Sequence, residues 1–338
     1  MVNSGVKVID QVVAENFAVY NGDSCELLKG IPENSIHYEI FSPPFASLYT
    51  YSDSERDMGN CKNNGEFFTQ FHFLAAELFR VLMPGRLMSV HCMDIPAMKE
   101  RDGFIGLMDF PGQLIALFQE MGFIYHSRVA IWKDPLVEAT RTKALGLMHK
   151  QIVKDSAMCR NGLPDYLMTF RKPGENPEPV KHPNGFESFI GENEPFAPKK
   201  EPTLTSKDAA ENKRSQIQQQ DPVYSHQVWR RYASPVWMDI RQSDTLQKES
   251  ARDEKDERHI CPLQLEVIAR GIDLWTNPGD VVLDPFDGIG STGYVAIKRG
   301  RKHIGCELKP SYFRQAVENC KTADAEGRTA SLFDIAEG

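Results

Sequence analysis

No apolar run in this 338-residue sequence approaches the length needed to cross a membrane. Met1 to Gln11 mixes polar and charged groups with isolated valines, so no secretory leader is expected either. Cysteines number seven (Cys25, Cys61, Cys92, Cys159, Cys261, Cys306, Cys320), an odd and scattered set with no Cys-x-x-Cys pair and no histidine at zinc-ligand spacing. That speaks against a disulfide framework and a structural zinc site, and points to reduced, mostly structural thiols. Histidines and acids do not cluster at ligand spacing elsewhere, so no metal is expected. Internal repeats are missing. A basic excess is missing too: the formal net charge is −8, which weighs against a nucleic-acid-binding surface spread over the whole molecule. These absences describe a soluble, cytoplasmic globular protein with no membrane partner.

What is present is enough apolar material, 41% of residues, for one large α/β domain with an insert or for two smaller domains. Strand patterns cover Phe17 to Tyr20, Ile36 to Phe41, Leu87 to His91, Ile124 to Trp132, Val281 to Leu283 and His303 to Cys306. Helical periodicity covers Glu66 to Leu82, stopped by Pro84-Gly85, and then Gln113 to Met121, Cys261 to Leu274 and Tyr312 to Cys320. Residues 173–222 turn to Pro, Asn, Glu, Lys and Gln with few apolar anchors, the composition of a long loop or mobile insert.

Two short motifs stand at strand ends, where ligands collect in open α/β sheets. The later one is Asp284-Pro285-Phe286-Asp287-Gly288-Ile289-Gly290-Ser291-Thr292. Its glycines fit a sharp strand-to-helix turn that lets backbone approach a ligand, and Glu307, at the end of the next strand, suits a ribose. A glycine turn of this kind serves a nicotinamide dinucleotide or S-adenosylmethionine, or merely packs helix on strand. Asp284 and Asp287 beside the turn would repel a pyrophosphate and suit a sulfonium, which favours the methyl donor over an NAD-dependent oxidoreductase.

The earlier motif is Ser42-Pro43-Pro44-Phe45. An exocyclic amino group of cytosine or adenine is a poor nucleophile because its lone pair is delocalised into the ring. A Ser42 hydroxyl and the Pro43 carbonyl, set off the ring plane, would hold the amino hydrogens and favour a pyramidal nitrogen. The prolines fix backbone direction, and Phe45 would stack on a base flipped from the duplex, returning about 1–3 kcal/mol against an unstacking cost of a few. Alone, the four residues read first as an ordinary loop; their place at a strand end, in a chain that also carries the glycine run, turns the reading to a base site.

The pairing, with the target-base motif first and the glycine motif last, resembles the β-class DNA amino-methyltransferases. The likeness covers roughly Val19 to Trp132 and His259 to Cys320. It implies a circularly rearranged S-adenosylmethionine-dependent methyltransferase fold, a mostly parallel sheet with helices on both faces and an inserted target recognition domain. By the resemblance, Asp23 approaches the cofactor adenine, His259, Pro262, Leu263 and Gln264 line its methionine side, Asp284 to Thr292 wrap it, and Glu307 binds its ribose. The expected organisation is a target-base half (1–132), a target recognition region (133–258), a cofactor half (259–322) and a tail (323–338). Duplex DNA is the expected partner, and a homodimer is an expectation from the family only.

Charge supports a local DNA face inside the acidic chain. Between Arg128 and Lys172, nine lysines and arginines stand against four acids. Arg141, Lys143, Lys150, Lys154 and Arg160 from this stretch, with Trp229, Arg230 and Arg231 further on, are the candidates for DNA contact; a solvated face explains them equally. Serine at the first motif position is commoner in cytosine-N4 than in adenine-N6 members, which leans the reading to cytosine with adenine close behind. A lapsed enzyme that only holds DNA is the remaining alternative.

Overall fold

The computed structural model describes residues 6–44, 58, 61, 64–97, 99–142, 146–192, 222–247 and 263–336. In chain order the elements are β1 (Asp10–Val13), β2 (Phe17–Asn21), α1 (Ser24–Leu28), β3 (Ile36–Phe41), α2 (Asn64–Val81), β4 (Leu82–Cys92), β5 (Ile95–Ala97), α3 (Lys99–Asp102), β6 (Gly106–Met108), α4 (Phe110–Glu120) and β7 (Ile124–Ile131). They continue as α5 (Pro135–Thr142), α6 (His149–Ile152), β8 (Asp165–Arg171), α7 (Pro222–Tyr232), β9 (Val236–Trp237), α8 (Leu265–Trp275), β10 (Val281–Asp284), α9 (Ser291–Lys298), β11 (Lys302–Glu307) and α10 (Pro310–Ala336).

Nine strands form one sheet in the order β1-β2-β11-β10-β3-β4-β8-β7-β9. From β2 to β4 every pairing is parallel, and β8 runs antiparallel between β4 and β7. The last-third strands β10 and β11 are therefore inserted between the first-third strands β2 and β3. This is the rearranged, mostly parallel α/β sheet expected from the sequence.

Burial on both faces explains the central strands. Along β3, Ile36 and Phe41 point into a core under α2 and α4, while Tyr38 and Ile40 point into a second core under α8 and α9. Helix α2 presents Phe67, Phe71, Leu74, Leu78 and Val81 at helical spacing, all fully buried. A third core joins Phe17 and Val19 of β2 to Ile297, Phe313 and Val317 of α9 and α10.

Several expectations are corrected. Pro84-Gly85 does not close a loop before a strand: α2 runs straight into β4, and the pair forms a bulge inside it. The register jumps from Ile36↔Leu82 to Tyr38↔Leu87. Gly85 has φ +73°, and a Cβ there would sit 2.6 Å from the Asn176 backbone, so the turn signal was sound but its context was a strand. Helix α10 extends through the expected tail to Ala336.

Two strands from within 133–258, β8 and β9, belong to the nine-stranded sheet. Of the expected insert, 173–192 is a mostly exposed loop without helix or strand, as its composition suggested, and 193–221 lies outside the described residues. Arg270, fully buried, is the anchor: it donates to the Ile190 carbonyl at 2.8 and 2.6 Å and pairs with Asp239 at 2.8 Å, between the rings of Phe189, Tyr232 and Trp237. The loop is thereby attached to the sheet side at Phe189 and Ile190. Among the described residues no helix is long and apolar enough to cross a membrane.

Candidate functional site

Parallel pairing brings the carboxyl ends of β2, β3, β4, β10 and β11 to one edge, together with the start of β8. Register places Asn21 beside Glu307, Asp284 beside Gly305, and Glu39 beside Leu283. Ser42, just past β3, and the Asp284–Gly290 turn, at the end of β10, thus occupy neighbouring corners of one cleft. Phe41 and Phe286 mark the approach, with ring centroids 5.9 Å apart.

The glycine corner is fastened from within. Asp284 Oδ1 accepts from the Phe286 amide at 2.9 Å and Oδ2 from the Thr292 hydroxyl at 2.7 Å. Burial pushes the Asp284 carboxyl up to about 7, the neighbouring charge of Asp287 adds to the rise, and the two donors oppose it. Asp287 Oδ1 lies 3.0 Å from His303 Nε2, both side chains fully buried. Burial alone would lower the His303 pKa, but the Asp287 carboxylate outweighs it and the net direction is upward. Neither aspartate was expected to be so enclosed. The donors that reach these buried carboxylates come from the turn itself and from His303, and Asp287 Oδ2 has no hydrogen-bond partner among the described residues.

Gly288 and Gly290 adopt φ +55° and +81°, and at Gly290 a Cβ would stand 2.9 Å from Ala316 Cα. Glu307 closes the corner: its Oε2 accepts from the Gly288 amide at 2.9 Å and its Oε1 from the Lys309 amide at 2.7 Å. Across the corner, Asn21 Nδ2 donates to the Glu307 and Leu308 carbonyls, and the Ser24 hydroxyl donates to the Pro285 carbonyl. Asp23 caps α1 through the Cys25 amide and, with Cys25, Met58 and Phe73, lines an open cavity beside the corner.

The residues of this corner fit a polar nucleoside cofactor. Gln264 at the start of α8 and Ser291 at the start of α9 carry the buried Gln264 Oε1 and Ser291 Oγ, neither with a hydrogen-bond partner among the described residues. Both helices begin at the same edge as the glycine turn. Leu263 is buried in the core under α8. His259 and Pro262 lie outside the described residues.

In the other corner, Pro43 and Pro44 are buried and Ser42 is half-buried; Phe45 lies outside the described residues. Ser42 Oγ donates to the His91 carbonyl at 3.2 Å and stands 3.4 Å from His91 Nδ1. The far nitrogen, Nε2, is 3.4 Å from Asp165 Oδ2, and Asp165 Oδ1 is 2.5 Å from Lys133 Nζ. Burial alone would raise the Asp165 carboxyl, but His91 and Lys133 hold it down at about 2. Sequence reasoning missed His91 and Asp165 because no motif contains them. The one signal was their position, a polar residue near the end of β4 and another at the start of β8, which antiparallel pairing brings to the same end of the sheet.

The expected DNA-facing residues are divided. Lys150, Lys154 and Arg230 are exposed, as is Trp229. Arg160 is instead committed to the buried Glu138 at 2.9 and 3.2 Å, and Arg231 lies 3.9 Å from Asp239. Arg141 falls in α5 with its side chain outside the described residues, as is Lys143 altogether. Cys25, Cys92, Cys159, Cys306 and Cys320 are thiols without a disulfide; burial pushes the Cys25 thiol up to about 12 and also raises Cys92, Cys306 and Cys320, which makes these four poor nucleophiles.

Among the described residues one trio, His37, Glu178 and Asp280, has metal-like spacing, at the opposite edge of the sheet. His37 Nδ1 accepts from the Val281 amide at 3.1 Å, which leaves the proton on Nε2 facing the two acids. Arg86 already pairs with Asp280 at 3.1 Å. A protonated nitrogen and an arginine are the wrong neighbours for a cation.

Residues 36–318 match the N6/N4 methyltransferase family model, described as DNA methylase. Among curated relatives, a DNA adenine methyltransferase of Escherichia coli (strain K12), YhdJ, is 48% identical over 48 residues, 14% of this chain and 16% of that protein. The first curated relatives are matched over only 16% to 24% of their own length. Among solved structures, TTHA0409 of Thermus thermophilus, complexed with S-adenosyl-L-methionine, superposes with TM-score 0.58 at 20% identity, covering 91% of this chain and 96% of that one. The PvuII DNA methyltransferase, cytosine-N4-specific, gives TM-score 0.57 at 20% identity, covering 94% and 90%.

Proposed function

This chain belongs to the DNA methylase family, and from that premise we propose that it transfers a methyl group from S-adenosylmethionine to the exocyclic amino group of a base flipped out of duplex DNA, N4 of cytosine first. The observation that carries this reading is the adjacency of the Ser42 and Gly288 corners on neighbouring parallel strands. When bound, the cofactor supplies an electrophilic methyl carbon on a sulfonium. The glycine corner holds it: Gly288 and Gly290 offer close backbone approach, Glu307 retains lone pairs for the ribose hydroxyls, and Gln264 and Ser291 supply polar atoms. Asp23 borders the adenine, and Asp284 and Asp287 act by fixing the turn.

At the other corner, Ser42 Oγ and the Pro43 carbonyl accept the two amino hydrogens, holding the nitrogen lone pair toward the methyl carbon. Phe45 stacks on the flipped base. Exposed Lys150, Lys154, Trp229 and Arg230 meet the DNA, and the region around 133–164 and 222–247 reads the target. A homodimer is the family expectation, tested by sedimentation. Adenine N6 is the second reading, supported by the short match to the adenine methyltransferase.

Incubation with tritiated S-adenosylmethionine and unmethylated plasmid DNA, followed by nucleoside mass spectrometry, is expected to yield N4-methylcytosine. N6-methyladenine would move the assignment to the second reading. Unlabelled DNA together with binding of NADH but not of the methyl donor would overturn the function.

A further inference from the structure

Methylation of an amino nitrogen leaves it with one proton too many, and the cleft must remove it. A serine hydroxyl such as Ser42 can relay that proton but cannot keep it, so a group behind the motif has to take one up. Behind Ser42 runs a line of polar contacts from four segments far apart in sequence: Ser42 Oγ to His91 Nδ1 at 3.4 Å, His91 Nε2 to Asp165 Oδ2 at 3.4 Å, and Asp165 Oδ1 to Lys133 Nζ at 2.5 Å. His91 and Asp165 are both buried. We propose that His91 is a positioning residue that acts through Ser42, receiving the hydroxyl proton as Ser42 takes the proton shed by the methylated amino group. The inference rests on the methyltransferase reading of the same site.

The atoms balance without a further reactant. The target nitrogen bonds to the methyl carbon as the carbon–sulfur bond breaks with its electron pair on sulfur. The surplus proton on nitrogen moves to Ser42 Oγ, the Ser42 proton moves to His91 Nδ1, and the resulting imidazolium is balanced by Asp165 until it releases the proton to solvent.

The tautomer this needs is the one the surroundings favour. A carboxylate facing Nε2 holds a proton there, which leaves Nδ1 as the acceptor. Lys133, which also reaches Met93 Sδ at 3.5 Å, compensates Asp165 and fixes its second oxygen. The other charged and titratable groups around this line are Cys92, Asp94, Asp109, Arg128 and Tyr166, with Arg128 stacked 5.0 Å over the Tyr166 ring. At present the Ser42 hydroxyl is shared between His91 Nδ1 and the His91 carbonyl. Such contacts are commonly long before substrate binds and tighten in the reacting complex.

Two variants test this, measured as methyl incorporation in the first turnover at saturating tritiated donor with unmethylated plasmid DNA. His91→Asn places an amide oxygen near the Nδ1 position, so it can orient Ser42 but cannot take up a proton. A loss of about a hundredfold is expected, within the 10²–10⁴ range of general base catalysis, with donor and DNA affinities unchanged within about twofold. His91→Ala should regain rate with added imidazole and not with pyrazole, a ring of the same shape but far weaker basicity. A merely structural void would be filled by either.

A His91→Asn rate within about threefold of the parent overturns the inference, and so does the absence of imidazole-specific rescue. Failure of the parent protein to label DNA would instead sink the methyltransferase reading, so the two failures are separate.

Discussion

The two corners of the cleft are built on opposite plans. At the glycine corner, Asp284, Asp287 and Glu307 each engage donors at 2.7 to 3.0 Å that come from the turn itself or from the adjoining strand. At the serine corner, the contacts from Ser42 to His91 and on to Asp165 are 3.2 to 3.4 Å, and they join three separate stretches of chain. The first is a rigid cradle, tightened in advance for a ligand that keeps one shape. The second is a looser line of groups able to exchange a hydrogen, which suits a corner where bonds change.

The largest effect that would test this contrast comes from Asp287→Ala, which strands the His303 ring in a fully buried place. Loss of one partner from such a pair costs about 3–5 kcal/mol, so urea denaturation should show a large drop in stability. A stable variant that only loses cofactor affinity would mean that Asp287 faces the ligand after all, and the contrast would fail. Next is Ser42→Ala: methyl transfer should fall by about 10²-fold or more while donor affinity, measured by calorimetry, stays put. Weakened donor binding would show that the corners are not separable.

Acidity separates them with opposite sign. Asp284, with its folded pKa raised to about 7, lends stability that is full below the unfolded value of about 3.9 and fades as pH rises through 7. Asp165, held at about 2, lends stability that is present above about 3.9 and is lost as pH falls toward 2. Urea titrations across pH should therefore show Asp284→Asn removing the decline between about pH 4 and 7, and Asp165→Asn removing part of the acid loss below 4. Exchanged behaviour would reverse the assignment. The smallest effect is outside both corners: Lys150→Ala or Lys154→Ala should each lower the salt slope of DNA affinity by about 1.

How much of this was readable beforehand follows the same division. The glycine corner lies within one run, Asp284 to Thr292, plus a glutamate at the next strand end, and local turn chemistry revealed it. What the run concealed was direction: nothing in the order of letters tells that Asp287 turns inward to His303. The serine corner was half legible. Ser42 and its prolines were visible as a motif, but His91 and Asp165 meet only because β4 and β8 pair antiparallel, which no period in either segment announces. The attachment of the 173–192 loop to Arg270 through Phe189 and Ile190 was likewise hidden, since the apolar count there suggested no anchor, and the Pro84-Gly85 bulge looked like a terminus because bulges use the residues that turns use.

Placing β10 and β11 between β2 and β3 also imposes a schedule on synthesis. Tyr38 has no neighbour on one side until Val282 has been made. Until the ribosome has added those last strands, two central edges of the sheet stay open, exposed to pairing with the wrong partner. Contacts spanning so much sequence are slow to form. A nascent chain of this kind has Ser42 in hand long before the glycine corner, so the two sides of the proposed site come together only once β10 and β11 have been made and the sheet closes.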